Sequence, residues 1–189
     1  MATFTVFYDA CLFYPAPLRD LMIRLAQTRS FRARWTADIQ REWVTALLRD
    51  RPELDEARLA RTVALMNKAV ADCLVTGYEH LIDQLSLPDP NDRHVLAAAI
   101  LSGAQEIVTT NLKDFPQETL AEFKIAPRHP DDFVLDLADL EPAVVTTAAK
   151  LQRAALKDPP LSPEEFVNTL RRQGLPGVAA FLQNEIDLI

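Results

Sequence analysis

Strand-like and helix-like stretches alternate through the first two thirds of this chain, and that alternation restricts its fold more than any other feature. TFTVFY, from Thr3 to Tyr8, is a β-branched and aromatic run of strand length that stops at an acid, Asp9. A loop with Pro15 and Pro17 follows, and then Leu18, Leu21, Met22 and Leu25 recur at helical spacing. A second helix is predicted to open at Thr36, with Ile39, Trp43 and Leu47 on one face, and a third to cover 54–74. PDPNDRHVLAAAILSGA predicts a further helix closed by Gly103, and EIVTTN directly after it predicts a strand ending at Asn111. Such alternation implies an α/β fold, a parallel β-sheet flanked by helices. Beyond Pro130 only helices are expected, over 131–139, 141–156 and 163–173, the last opened by a capping box of Ser162 and Glu165. The expected division is therefore a domain over 1–129 and a helical C-terminal extension over 130–189, with KDPP at 157–160 as the linker candidate.

Composition narrows the function classes. No apolar run approaches the roughly 20 residues of a membrane span, and MATFTVFYDACLFY has no basic start and carries Asp9 inside its apolar stretch. A cytoplasmic protein without a membrane partner is expected. Cys11 and Cys73 lack the spacing of a disulfide framework or a zinc site and read as small core residues. The four glycines form no phosphate-binding loop, and the three histidines show no HExxH spacing. His94, next to Asp92 and Arg93, reads either as a substrate contact or, more simply, as a solvated or capping residue. The net charge of −7 is unevenly spread, since residues 1–51 hold eight arginines against five acids. Six of those arginines fall within 19–41, where they either track a phosphate backbone or form a solvated helix face.

Four acids stand at predicted element boundaries or on a helix near them. Asp9 follows the first strand, Glu42 lies on the second helix, Asp92 opens the AAA helix, and Asp114 follows the IVTT strand. In a parallel sheet a ligand site lies beyond the carboxyl ends of the strands, so Asp9 and Asp114 can meet there. Carboxylates gathered in one place repel, and a hard divalent ion such as Mg2+ or Mn2+ relieves that repulsion. Such an ion activates water and steadies the charge on a transferring phosphoryl group. Each acid also has a plainer reading as a loop, cap or surface charge. Asp89, Asn91 and Asp92 are all good cap residues.

The stretches YDACLFYPAPLRDLMIRLA, WTADIQREW, PDPNDRHVLAAAILSGAQEIVTTNLKDFP and SPEEFVNTLRRQGLPG together resemble the PIN-domain proteins, in their VapC-like toxin branch. The resemblance covers nearly the whole chain and is most specific over 87–116. It implies a PIN-like nuclease domain over 1–129 and a metal-dependent endoribonuclease that uses Mg2+ or Mn2+ on RNA. It also implies a cognate antitoxin and a homodimer. By position, Asp9, Glu42 and Asp92 match the first three acids of the family, and the fourth is Asn111 or Asp114. Asp9, Asp92 and Asp114 are the expected metal ligands, with Glu42 as a fourth catalytic acid. Asn111, Asp89, Thr109 and Thr110 are expected to orient ligands or substrate, and Arg19, Arg34 and Arg41 to contact RNA. The extension is expected to be dispensable for metal binding, its terminal helices contacting a partner. A non-toxin RNA-processing nuclease and a non-catalytic RNA- or protein-binding module remain the alternatives.

Overall fold

β1, Thr5–Tyr8, is buried along its whole length, as a strand covered on both faces must be. In the computed structural model, which describes residues 4–189, β1 pairs in parallel with β2 (Arg32–Arg34) and with β3 (Glu106–Val108), and β3 pairs with β4 (Ala126–Arg128). The strand order is β2-β1-β3-β4. Thr3, assigned to the first strand from its sequence, lies outside the described residues.

The helices run α1 (Ala16–Gln27), α2 (Ala37–Asp50), α3 (Glu56–Ala69), α4 (Glu79–Ile82), α5 (Arg93–Leu101) and α6 (Gln117–Ala121). α7 (Pro130–Leu140), α8 (Pro142–Ala155), α9 (Pro163–Arg172) and α10 (Pro176–Asn184) complete the chain. Local chemistry fixes several ends. Thr36 caps α2 by accepting from the Ile39 N–H at 3.1 Å, and the Ser162–Glu165 capping box opens α9. Gly103 closes the turn after α5 at φ 66°, a conformation that costs glycine little. The core gathers around Tyr8, whose ring stacks on Trp35 at 6.1 Å, while Phe13 meets Trp35 edge-on at 5.4 Å. Each such pair adds about 1 kcal/mol beyond its burial.

Two strands were not anticipated. β2 sits inside the arginine run, where charged side chains mask the strand pattern, and β4 contains Pro127, which an edge strand tolerates. α3 ends at Ala69 rather than continuing to 74. The residues that follow turn out to meet the edge of β2, the Trp35 N–H donating to Cys73 O and the Val75 N–H to Trp35 O, each at 2.9 Å. β3 stops at Val108, after which a one-turn 3₁₀ segment over Leu112–Asp114 begins.

The C-terminal helices fold back onto the sheet domain. α8 lies against α1, and α10 lies against α7 and α9. Gln152 donates to Pro17 O at 2.7 Å, and Arg153 spans to Leu161 O and Ile189 O. Phe166, Leu170, Val178 and Leu182 are buried inside this packing. The apolar faces expected to await a partner are thus covered by the chain itself, because helices of this amphipathicity find α1 and α7 within reach.

Candidate metal centre

The order β2-β1-β3-β4 reverses direction between β1 and β3, so a crevice opens at their carboxyl ends, where a ligand is expected in such a sheet. Asp9 and Thr109 follow these two strands directly. Asp9 is 8% exposed, and three donors hold its carboxylate: the Thr109 hydroxyl at 2.7 Å, the Ala10 N–H at 2.7 Å and the Cys11 thiol at 3.2 Å. Burial nevertheless raises the Asp9 pKa, its hydrogen bonds oppose the rise, and Glu42 adds to it.

Asp92 stands at the start of α5, its carboxylate without a hydrogen bond among the described residues. Asp89 precedes it and caps the turn by accepting from the Asn91 N–H at 2.9 Å. Asp114 closes the turn after β3, its carboxylate held by the Asn111 amide. One carboxylate oxygen from each of Asp89, Asp92 and Asp114 lies within 4.8 Å of the others, and all three residues are half-buried. The Asp92 pKa is pushed up to about 7, first by burial and then by Asp9, Asp89 and Asp114, with His94 opposing. None of these four aspartates is ion-paired among the described residues.

Hard oxygen donors, close mutual approach and no internal cation form a donor set that fits Mg2+ or Mn2+. Oxygens bound to one such ion at roughly 2.1 Å lie at most about 4.2 Å apart, and those of Asp89, Asp92 and Asp114 lie within 4.8 Å of one another. Asp89, which the sequence suggested only as a supporting residue, belongs to this close group, whereas Asp9 faces it from the strand end. Glu42 stands at the flank on α2. Its carboxylate lies 2.7 Å from His94 Nε2, and the His94 side chain is 14% exposed. The expectation of a solvated or capping His94 is therefore corrected: the first turn of α5 aims it at α2.

Other expectations divide. Thr109 reaches a carboxylate, but no hydrogen bond runs from the Thr110 hydroxyl to one; the Thr110 N–H donates to the Cys11 sulfur at 3.2 Å instead. Cys11 packs against the core as expected but also borders Asp9, and burial pushes its thiol up to about 12. Its place two residues beyond Asp9 was the only hint the sequence offered. Arg19, half-buried, is engaged within the chain. Its guanidinium lies 4.7 Å over the Trp43 ring and donates to Phe13 O. Arg34 lines a separate groove beside β2. Arg41 lines a cavity of about 580 Å³ with Glu42, His94 and Arg49, and Arg49 was not singled out from the sequence.

Comparison with known proteins adds three findings. A family model described as PIN domain matches residues 5–113, and one described as VapC50 C-terminal domain matches 130–184. A Mycobacterium tuberculosis protein described as "Putative ribonuclease VapC50" is 41% identical over 104 residues, 55% of this chain and 60% of that protein. The match thus spans about 60% of the relative's own length. No solved structure matches this chain.

Proposed function

This chain belongs to the PIN-domain family, and from that premise we propose that it is a metal-dependent endoribonuclease. We further propose that it is the toxin component of a type II toxin–antitoxin system in the cytoplasm, with RNA as substrate and a cognate antitoxin and a second copy of itself as partners. The observation that carries the nuclease reading is the group of unpaired carboxylates at the β1/β3 crevice. A buried or half-buried cluster of one charge is costly to maintain, and packing alone has no use for it. The relative's name supports RNA as the substrate.

In this reading Asp89, Asp92 and Asp114 hold a divalent ion, and Asp9 faces it as the fourth carboxylate. Bound there, Mg2+ or Mn2+ supplies charge stabilisation for the phosphoryl group and activates water. The chain's own groups do the rest. Thr109, Cys11 and the Ala10 N–H fix the Asp9 carboxylate, and the Asn111 amide fixes that of Asp114. His94 orients Glu42 by donating from Nε2. Arg41 and Arg49, beside Glu42, offer phosphate contacts leading away from the cluster. The catalytic apparatus lies wholly within 1–129, and 130–189 serves as a helical extension that braces it.

An RNA cleavage assay with added Mn2+ tests the proposal. The parent protein is expected to cut, while EDTA-treated protein, Asp9→Asn and Asp92→Asn are expected to lose activity by at least about a hundredfold, the scale of losing one group that stabilises the transition state. Equal cutting by EDTA-treated protein would refute the metal-centre reading.

A further inference from the structure

The charged cavity that holds Arg41, Glu42 and His94 has a neighbour. A second cavity, of about 390 Å³, shares Glu42, Ala46 and Arg49 with it, and these three residues recur at helical spacing along one face of α2. The second cavity adjoins the metal centre, because Ala10 and Cys11 line it and both bond to the Asp9 carboxylate. Its remaining walls are Tyr14, Pro15, Trp43 and Asp50. Arg49, with its side chain 74% exposed, reaches both cavities. Its bonds to Asp50 use Nε and Nη2, and Nη1 has no partner among the described residues.

Of the two aromatic side chains in this lining, Trp43 is 1% exposed and belongs to the core, whereas Tyr14 is half-buried. Leu12 and Phe13 just before it are fully buried, so the chain turns Tyr14 outward as it approaches α1. The Tyr14 hydroxyl donates to Asp50 Oδ2 at 2.8 Å, on the last residue of α2. That bond holds the ring at the cavity wall without burying it. A ring fixed in this way loses little freedom when a flat group lies against it. Ala46 keeps the floor open, and a volume of about 390 Å³ falls within the roughly 300–1,000 Å³ of small-ligand pockets.

We infer that this cavity is a nucleobase subsite, in which an unpaired base of the RNA stacks on Tyr14 while its adjoining phosphate lies at the carboxylates and the neighbouring backbone follows Arg49 and Arg41. The inference rests on the nuclease reading and adds to it the form of the substrate. A base inside a duplex has both faces covered by its neighbours, so only a single-stranded segment can present one to Tyr14. Grooves for single strands combine cationic side chains with aromatic rings, and here an accessible ring and an arginine line one cavity that borders Asp9. A purely structural Tyr14 would serve to tie the loop before α1 to the end of α2, through its hydroxyl. Stacking requires the ring instead, and this difference separates the two roles.

Full-length Asp92→Asn, expected to hold RNA without cutting it, is the background for the test. Irradiated in Mg2+ with an oligomer of 5-iodouridine, whose base crosslinks to an aromatic ring it stacks on, it is expected to carry the adduct at Tyr14, as peptide mass spectrometry can locate. The same oligomer annealed to oligoadenylate is expected to lose that adduct. In fluorescence anisotropy with labelled oligouridylate, adding Tyr14→Ala, or Ala46→Leu to fill the floor, is expected to weaken binding at least about fivefold. Adding Tyr14→Phe, which keeps the ring and removes only the bond to Asp50, is expected to leave binding like that of the background. Equal binding with Tyr14→Ala, or an adduct elsewhere, overturns the inference and leaves the nuclease reading standing. Equal losses with Tyr14→Ala and Tyr14→Phe, both with a lowered melting temperature, overturn it too and make Tyr14 a brace. No RNA binding by the background together with no cutting by the parent removes the nuclease reading and this inference with it.

Discussion

Asp92 keeps its proton up to about pH 7 because burial and three neighbouring carboxylates all oppose its charge. In the unfolded chain an aspartate titrates near 3.8. The folded state therefore binds more protons between these values, and the stability of the metal-free protein falls as pH rises from about 4 to about 7. Since Asp92 is half-exposed, solvent screening reduces the effect to about 1–2 kcal/mol. Asp92→Asn, without a charge to lose, should be more stable than the parent by that amount at pH 8 and equal to it near pH 4, as urea melts can measure. A divalent ion displaces the same proton, so Mn2+ affinity should fall steeply below pH 7. These acids were legible in the sequence because each adjoins an element end. Their grouping was not, because Asp89 comes beside Asp92 and Asp114 only through the turn that leads into α5. The contacts of His94 with Glu42 and of Cys11 with Asp9 were not legible for a related reason, since only the fold brings these partners together.

At the scale of elements, caps explain more than propensities. Thr36 is fully buried at the start of α2, and Thr36→Ala should cost about 1–2 kcal/mol through the orphaned Ile39 N–H. α10 has a less local cap. Both Asp131 oxygens, from the first turn of α7, accept the Gly177 and Val178 N–H groups at 2.8 Å each. Such a carboxylate also meets the positive end of the helix. A methyl group on Gly177 would push aside the end of the Leu135 side chain and crowd the Asp131 carboxylate at 3.0 Å, so Gly177→Ala should weaken this cap and destabilise the chain by about 1 kcal/mol despite alanine's better helix propensity. Thermal melts distinguish that loss from the gain that propensity alone would give. The capping box at Ser162 could be read directly because its parts lie within four residues. The Asp131 cap spans 46 positions and leaves no local trace. β2 and β4 were hidden likewise, being three-residue strands whose existence rests on pairing with β1 and β3 rather than on pattern.

The whole molecule behaves as one packed body rather than a nuclease with a detachable tail. The KDPP segment looked like a linker, yet α9 and α10 beyond it bury Phe166, Val167, Leu170, Leu175 and Val178 against the rest of the chain. Ending the chain after Lys157 should expose that apolar surface and cost several kcal/mol, at about 25 cal/mol per Å². A lowered or absent unfolding transition and aggregation of the truncated chain are the expected outcome. Sequence periodicity identified these helices correctly but could not name what they cover, since amphipathicity is silent about its partner. The central claim is that the carboxylates at the β1/β3 crevice form a metal centre. It is tested most directly by calorimetric titration of Mn2+ into metal-free parent, Asp92→Asn and Asp114→Asn at pH 8. Saturable binding by the parent, weakened at least about tenfold in both variants, is the predicted result; no saturable binding, or equal binding by all three, would contradict it.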